Sequence, residues 1–148
     1  MALIRENSAG YLANWAARLF ARELERQLAP HGISPAYMPV LFALPDGAAL
    51  SQKELARRAA VEQPTMTATL NRMERDGFIA RRANPADGRS MLVSLTEKAM
   101  ARIDIVNQVV STINLQALAP LDPEERICFL ALLRRVIAAL EASDGRAE

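Results

Sequence analysis

The sequence is poor in the residues from which most active centres are built. It has one cysteine, Cys128, and one histidine, His31. A lone cysteine excludes an internal disulfide, and a lone histidine leaves no His-rich metal set. The CxxC, HExxH, GxGxxG, GxSxG and Walker lysine patterns are all missing, and the acidic residues are scattered without a recognisable acid/base pair. No enzyme activity is therefore expected, and no cofactor or metal. Long apolar runs are missing as well. No stretch reaches the ~18 uncharged apolar residues of a membrane span, and MALIRENSAG meets charge too early for a signal peptide. These readings predict a soluble, cytoplasmic protein with no membrane partner. Aromatics are only 5% of the chain, so aliphatic side chains must supply most of the core. Net charge is also small, +1, so a nucleic-acid partner could be argued only from local clustering.

What is present describes a globular protein. The 148 residues suit a single domain, and 51% hydrophobic with 24% charged residues excludes a disordered chain. From Ser8 to Ala29, the residues Leu12, Trp15, Ala16, Leu19, Leu24 and Leu28 recur at helical spacing, with Arg22, Glu25 and Arg26 on the polar side. Pro30 and Gly32 stop this helix. Ser34 and Pro35 open the next, in which Pro39 predicts a kink or a short, distorted start. LPDGAAL reads as a turn. Ser51-Gln-Lys-Glu54 has the form of a capping box and predicts a third helix over about 51 to 58. Pro64 opens a fourth that runs to about Asp76 and ends at Gly77. Two short helices joined by AAVEQ make a helix-turn-helix candidate.

FIARR and SMLVSL are strand-like, and Met91, Val93 and Leu95 alternate onto one face. Pro85 and the Asp87-Gly88 pair predict a tight turn between them. Thr96 caps a predicted long helix with a stripe of Ala99, Ile103, Val106, Val110 and Ile113. Asp122-Pro-Glu-Glu125 starts the last one. That helix, ICFLALLRRVIAAL, is apolar almost all round, and the first helix has a broad apolar face. Together they predict a shared two-fold interface, with Cys128 as inert buried packing. The predicted fold class is mainly α with a small two-stranded β wing, a winged helix-turn-helix flanked by N- and C-terminal dimerisation helices.

On the fourth helix, Met66, Thr69, Leu70 and Met73 share a narrow arc and should pack inward. Thr65, Thr67, Ala68, Asn71, Arg72 and Arg75 lie opposite. Small polar groups near the start and arginines toward the end suit a helix entering the DNA major groove, with asparagine well shaped for adenine. A solvated polar face on a core helix is the plainer alternative. Local charge bears on the choice: between Leu50 and Leu95 there are eight basic and five acidic residues, a net +3 in a chain of +1.

The stretch LSQKELARRAAVEQPTMTATLNRMERDGFIARRANPADGRSMLVSLTEKA resembles the core of the MarR family of bacterial transcriptional regulators. Its most specific parts are LSQKELA, QPTMT with NRMERDGFI, and the D-x-R wing followed by LVSLT. The resemblance implies one domain over 1–148, with dimerisation helices at 8–32 and 97–142 around a winged DNA-binding region at 34–95. It implies a homodimer that binds a palindromic operator on double-stranded DNA, most simply a repressor released by a small aromatic or phenolic effector. The DNA-binding set it implies is Lys53, Arg57, Gln63, Thr65, Thr67, Asn71, Arg72, Arg75 and Arg89. Asp87 would hold the Arg89 side chain by a charge-assisted pair. Many relatives carry a second arginine where this chain has Gly88, which leaves the minor-groove role to Arg89. Trp15, Arg18, His31, Tyr37 and Met38 are the candidate ligand-pocket residues, although Trp15 and Tyr37 read more simply as core. The rival from another class is a winged-helix module that binds protein and not DNA.

Overall fold

A computed structural model of the protein describes residues 4–44 and 47–144. Pro45 and Asp46, part of the expected LPDGAAL turn, lie outside the described residues. A 3-10 turn at Arg5–Asn7 leads into α1, Ala9–Leu28, capped by the Ser8 side chain, which accepts from the Tyr11 N–H. The chain leaves α1 through a 3-10 turn, Ala29–His31, and reverses at Gly32, whose φ of 69° is left-handed. Glycine takes that conformation without a Cβ clash. A second 3-10 turn, Pro35–Tyr37, runs into α2, Met38–Ala43, with Pro39 in its first turn. The expected distorted start is therefore a 3-10 segment, which places the missing Pro39 N–H where no helical bond is required.

The remaining elements are β1 (Ala49–Ser51), α3 (Gln52–Ala59), α4 (Gln63–Arg75), β2 (Ile79–Asn84), β3 (Asp87–Leu95), α5 (Glu97–Met100), α6 (Ile103–Ala117) and α7 (Pro123–Asp144). The sheet is antiparallel in the order β1-β3-β2, so the predicted two-stranded wing gains a third strand. Ala49, Leu50 and Ser51 pair with Ser94, Val93 and Leu92. Three residues could not hold as a strand alone. They do so here because β3 offers an edge directly before α3 begins.

One cap falls short of the sequence reading and another goes beyond it. At Ser51 only half of the capping box forms: its hydroxyl accepts the Glu54 N–H at 3.2 Å, but the Glu54 carboxylate turns to Arg57 and Arg58. Asp122 and Glu125 complete such a box instead, each side chain accepting the other's N–H at 2.9 Å. The predicted long helix after Thr96 is broken at Ala101 and Arg102 into α5 and α6, while its stripe still turns inward at Ala99, Val106 and Ile113. Thr96 does two jobs there. Its Oγ1 accepts the Ala99 N–H at 3.2 Å and donates to the Gly77 carbonyl at 2.6 Å. Thr96→Ala is expected to cost about 1–2 kcal/mol, the loss of an N-cap with a long-range bond, measured as a urea unfolding midpoint.

The chain falls into two compact units, Met1–Val110 and Ser111–Glu148. The core of the first joins Leu28, Tyr37, Val40 and Leu44 to Leu55, Met66, Leu70 and Met73 and to Phe78, Ile79 and Val93. Tyr37 and Phe78 meet with ring centroids 5.5 Å apart. Outside this core α1 leaves Tyr11, Leu12, Trp15 and Leu19 exposed. In the second unit α7 has no buried residue, and Leu130, Leu133, Ile137 and Leu140 are 40%, 37%, 47% and 64% exposed. Cys128, expected to be buried, is exposed as well, because its apolar helix has no cover within its own unit. Among the described residues no helix is long and apolar enough to cross a membrane.

Candidate nucleic-acid interface

Helices α3 and α4 are joined by a short turn in which Ala60 takes a left-handed φ of 52° and Val61 donates back to the Ala56 carbonyl at 3.0 Å. Helical periodicity then fixes which side of α4 is free. Met66, Leu70 and Met73 are at most 1% exposed and lock the helix into the core. Thr65, Thr67, Ala68, Asn71, Arg72 and Arg75 are exposed on the opposite side, as the sequence predicts.

The hydrogen bonds divide this face into occupied and free groups. Gln52, at the start of α3, donates to the Thr67 hydroxyl at 2.6 Å and to the Gln63 side-chain oxygen at 3.4 Å. Thr67 in turn donates to the Gln63 carbonyl at 2.9 Å. Thr67 and Gln63 thus fasten α4 to α3. Arg57 and Arg58 share the Glu54 carboxylate and hold its pKa down to about 2. Arg72 lies 5.9 Å from the centroid of the Tyr37 ring, and Arg75 pairs with Asp76 at 3.2 Å. Lys53, Thr65 and Arg89 are exposed without a side-chain partner among the described residues. Arg81 was not foreseen as part of the site. It projects from β2 to donate to Asn71 at 3.0 Å and to Glu74. The available signal was strand alternation, since Arg81 lies two residues beyond the buried Ile79 and so points to the same inner face.

The hairpin corrects two details. Its two-residue turn is Pro85-Ala86, with Asn84 paired to Asp87, whereas Asp87 and Gly88 belong to β3. The Asn84 side chain accepts the Ala86 N–H at 3.0 Å, so an asparagine turn displaces the Asp-Gly turn. The register then jumps from Ala83↔Met91 to Asn84↔Asp87, and Gly88, Arg89 and Ser90 bulge out. Asp87 supports Arg89 through the backbone: its carboxylate accepts the Arg89 N–H at 3.0 Å and does not pair with the guanidinium. A cavity of about 450 Å³ separates this bulge from the start of α3, lined by Gln52, Lys53, Arg81, Asn84, Asp87 and Ser90 among others.

Of the candidate pocket residues, Tyr37 and Met38 are buried in the core, while Trp15, Arg18 and His31 are exposed. Trp15 packs edge-on to Tyr11 at 6.1 Å, and the His31 carbonyl accepts from Arg102 at 3.2 Å. Tyr37 donates its hydroxyl to Asp76. Burial and then this bond raise the phenol pKa. The Tyr37 hydroxyl first, then Arg75, hold the Asp76 carboxyl below its usual value. A depressed carboxylate contributes its stability fully above pH about 4 and loses it as pH falls through the folded value. Tyr37→Phe is accordingly expected to lower the urea midpoint at pH 7, with the gap to the wild type closing below pH about 4. A gap of constant size across the pH series would show that the hydroxyl acts only through packing.

A helix-turn-helix whose second helix exposes a polar face beside a β hairpin with an exposed arginine in its bulge is a winged helix-turn-helix. Residues 31–90 match the model of the MarR family. The chain is 33% identical over 121 residues to the uncharacterized HTH-type transcriptional regulator YwoH of Bacillus subtilis, across 82% of this chain and 88% of the relative. Among solved structures it resembles the PcaV transcriptional regulator of Streptomyces coelicolor in complex with its natural ligand. There the TM-score is 0.84 at 26% identity, covering 95% of this chain and 99% of that one. It also resembles a mutant MarR from E. coli complexed with operator DNA, with TM-score 0.83 at 27% identity over 92% and 99% of the two chains. The chain belongs to the MarR family of transcriptional regulators.

Proposed function

We propose that this regulator is a cytoplasmic, homodimeric repressor that binds a palindromic operator and is released by a small aromatic or phenolic ligand. The observation that carries the proposal is the outer face of α4, locked in place by Met66, Leu70 and Met73 and exposing Thr65, Asn71, Arg72 and Arg75. Lys53, Arg57 and Arg89 flank that face with positive charge for phosphates and the minor groove. Gln63 and Thr67 set its angle through Gln52. The region 34–95 is the DNA-binding part, and 8–32 and 97–142 supply the dimer from their exposed apolar faces. The operator complex of the E. coli relative and the ligand complex of PcaV support the reading. The ligand would reach the exposed set Trp15, Arg18 and His31, with Tyr37 and Met38 as the packing behind it. Selection of bound fragments from the source genome tests the proposal. One enriched, two-fold symmetric motif is the expected result. Failure to enrich any duplex would favour a winged-helix module that binds protein.

A further inference from the structure

The bond between Arg81 and Asn71 decides which end of the Asn71 amide faces outward. A guanidinium carries only donors, so the group it meets must be the amide oxygen. The oxygen accepts from Arg81 at 3.0 Å, and the same arginine is anchored to Glu74 one helical turn further along α4. The bond lies at the surface, with Asn71 exposed and Glu74 45% exposed, but the Arg81 side chain is only 20% exposed and the α4 and β2 elements that carry these residues are fixed by the core. The Asn71 N–H2 group makes no bond to protein among the described residues, and the residue is exposed.

Bidentate reading of adenine needs both amide functions, the oxygen for N6–H2 and the nitrogen for N7. With one lone pair of its oxygen taken and the amide turned so that this oxygen meets the guanidinium, Asn71 leaves its N–H2 group as the end free of protein partners. The major-groove edge that suits two donors is guanine, whose O6 and N7 are adjacent acceptors. Adenine places a donor beside its N7, cytosine presents only a donor, and thymine sets one acceptor beside a methyl group.

Resting on the DNA-binding reading above, we propose that Arg81 is a positioning residue for specificity that makes Asn71 read guanine, not adenine, in each half-site. The test is selection from random duplex DNA by the full-length wild type and by three variants. Asn71→Ala locates the base pair that Asn71 reads, as the column whose preference disappears. Wild type is expected to select a G·C pair in that column, and replacing that guanine by 7-deazaguanine should weaken binding roughly tenfold. Arg81→Met frees the amide and should admit A·T in that column alone. Asn71→Asp keeps the bond to Arg81, which protects the fold, but removes the donors and should abolish the G·C preference there. A merely structural Arg81 would lower affinity for all sites equally and leave the column unchanged, which overturns the proposal. So does an A·T pair in the wild-type column. A selection that enriches nothing overturns the DNA-binding reading and this proposal with it.

Discussion

Aspartate at both Leu133 and Ile137 is expected to turn the proposed dimer into a monomer and abolish binding to the proposed operator. These residues follow Leu130 and precede Leu140 at spacings of three, four and three along α7, which is the pattern of a helix-packing seam. All four are exposed in the single chain, so the substitution removes nothing from the chain's own core. Burying a leucine or isoleucine contributes about 1.5–3 kcal/mol, and a two-fold interface counts each side chain twice. Leu133 and Ile137 are already more than half covered in the single chain, so the four lost side chains weaken the dimer by roughly 3 kcal/mol, about two decades in its dissociation constant, before charge repulsion is added. Light scattering should report a monomer while far-UV circular dichroism keeps its helical signal. Binding to a two-half-site duplex should fall with it, because each protomer then binds alone. A variant that stays dimeric would place the interface elsewhere.

The second large effect is expected at the wing. Arg89→Ala should lower operator affinity about a hundredfold at low salt, from two charge-assisted contacts per dimer at about 1.5 kcal/mol each. It should also make the slope of log K against log salt shallower by about 1.8, since each neutralised phosphate contributes about −0.9. The dimer should be unaffected, because the bulge that carries Arg89 is held by Asp87, Asn84 and Ser90 and not by the guanidinium. The reverse substitution is open as well. Gly88 has no left-handed φ, and a Cβ there would meet nothing within 4 Å. Gly88→Arg is thus expected to fold normally and to make the salt slope steeper. An unchanged slope in both variants would remove the wing from the interface.

The parts of the structure legible in the sequence are those decided locally. The inward arc of Met66, Leu70 and Met73 follows from helical periodicity, and the stops at Gly32 and Gly77 follow from their left-handed backbones, φ 69° and 78°. What could not be read depends on which of several competing partners a group takes, whether distant in sequence or close by. Strand β1 exists because β3 offers it an edge, and Glu54 leaves its box because two arginines lie within reach on the same helix. The Asp87-Gly88 pair has genuine turn propensity, but Asn84 closes the turn two residues earlier. The largest gap concerned Asn71. Sequence placed it on the outer face and made it a candidate adenine reader, whereas Arg81, ten residues away, engages the amide oxygen that such a reading would also use.

The central claim is that α4 and the wing bind a specific duplex as a pair. Fluorescence anisotropy of the full-length chain against its selected genomic duplex and a scrambled one, in a salt series, tests it most directly. Specific binding should exceed scrambled binding by at least about a thousandfold, with a log–log salt slope of about −4 or steeper from several phosphate contacts per dimer. Equal affinity for the two duplexes, or affinity that does not change with salt, would contradict it.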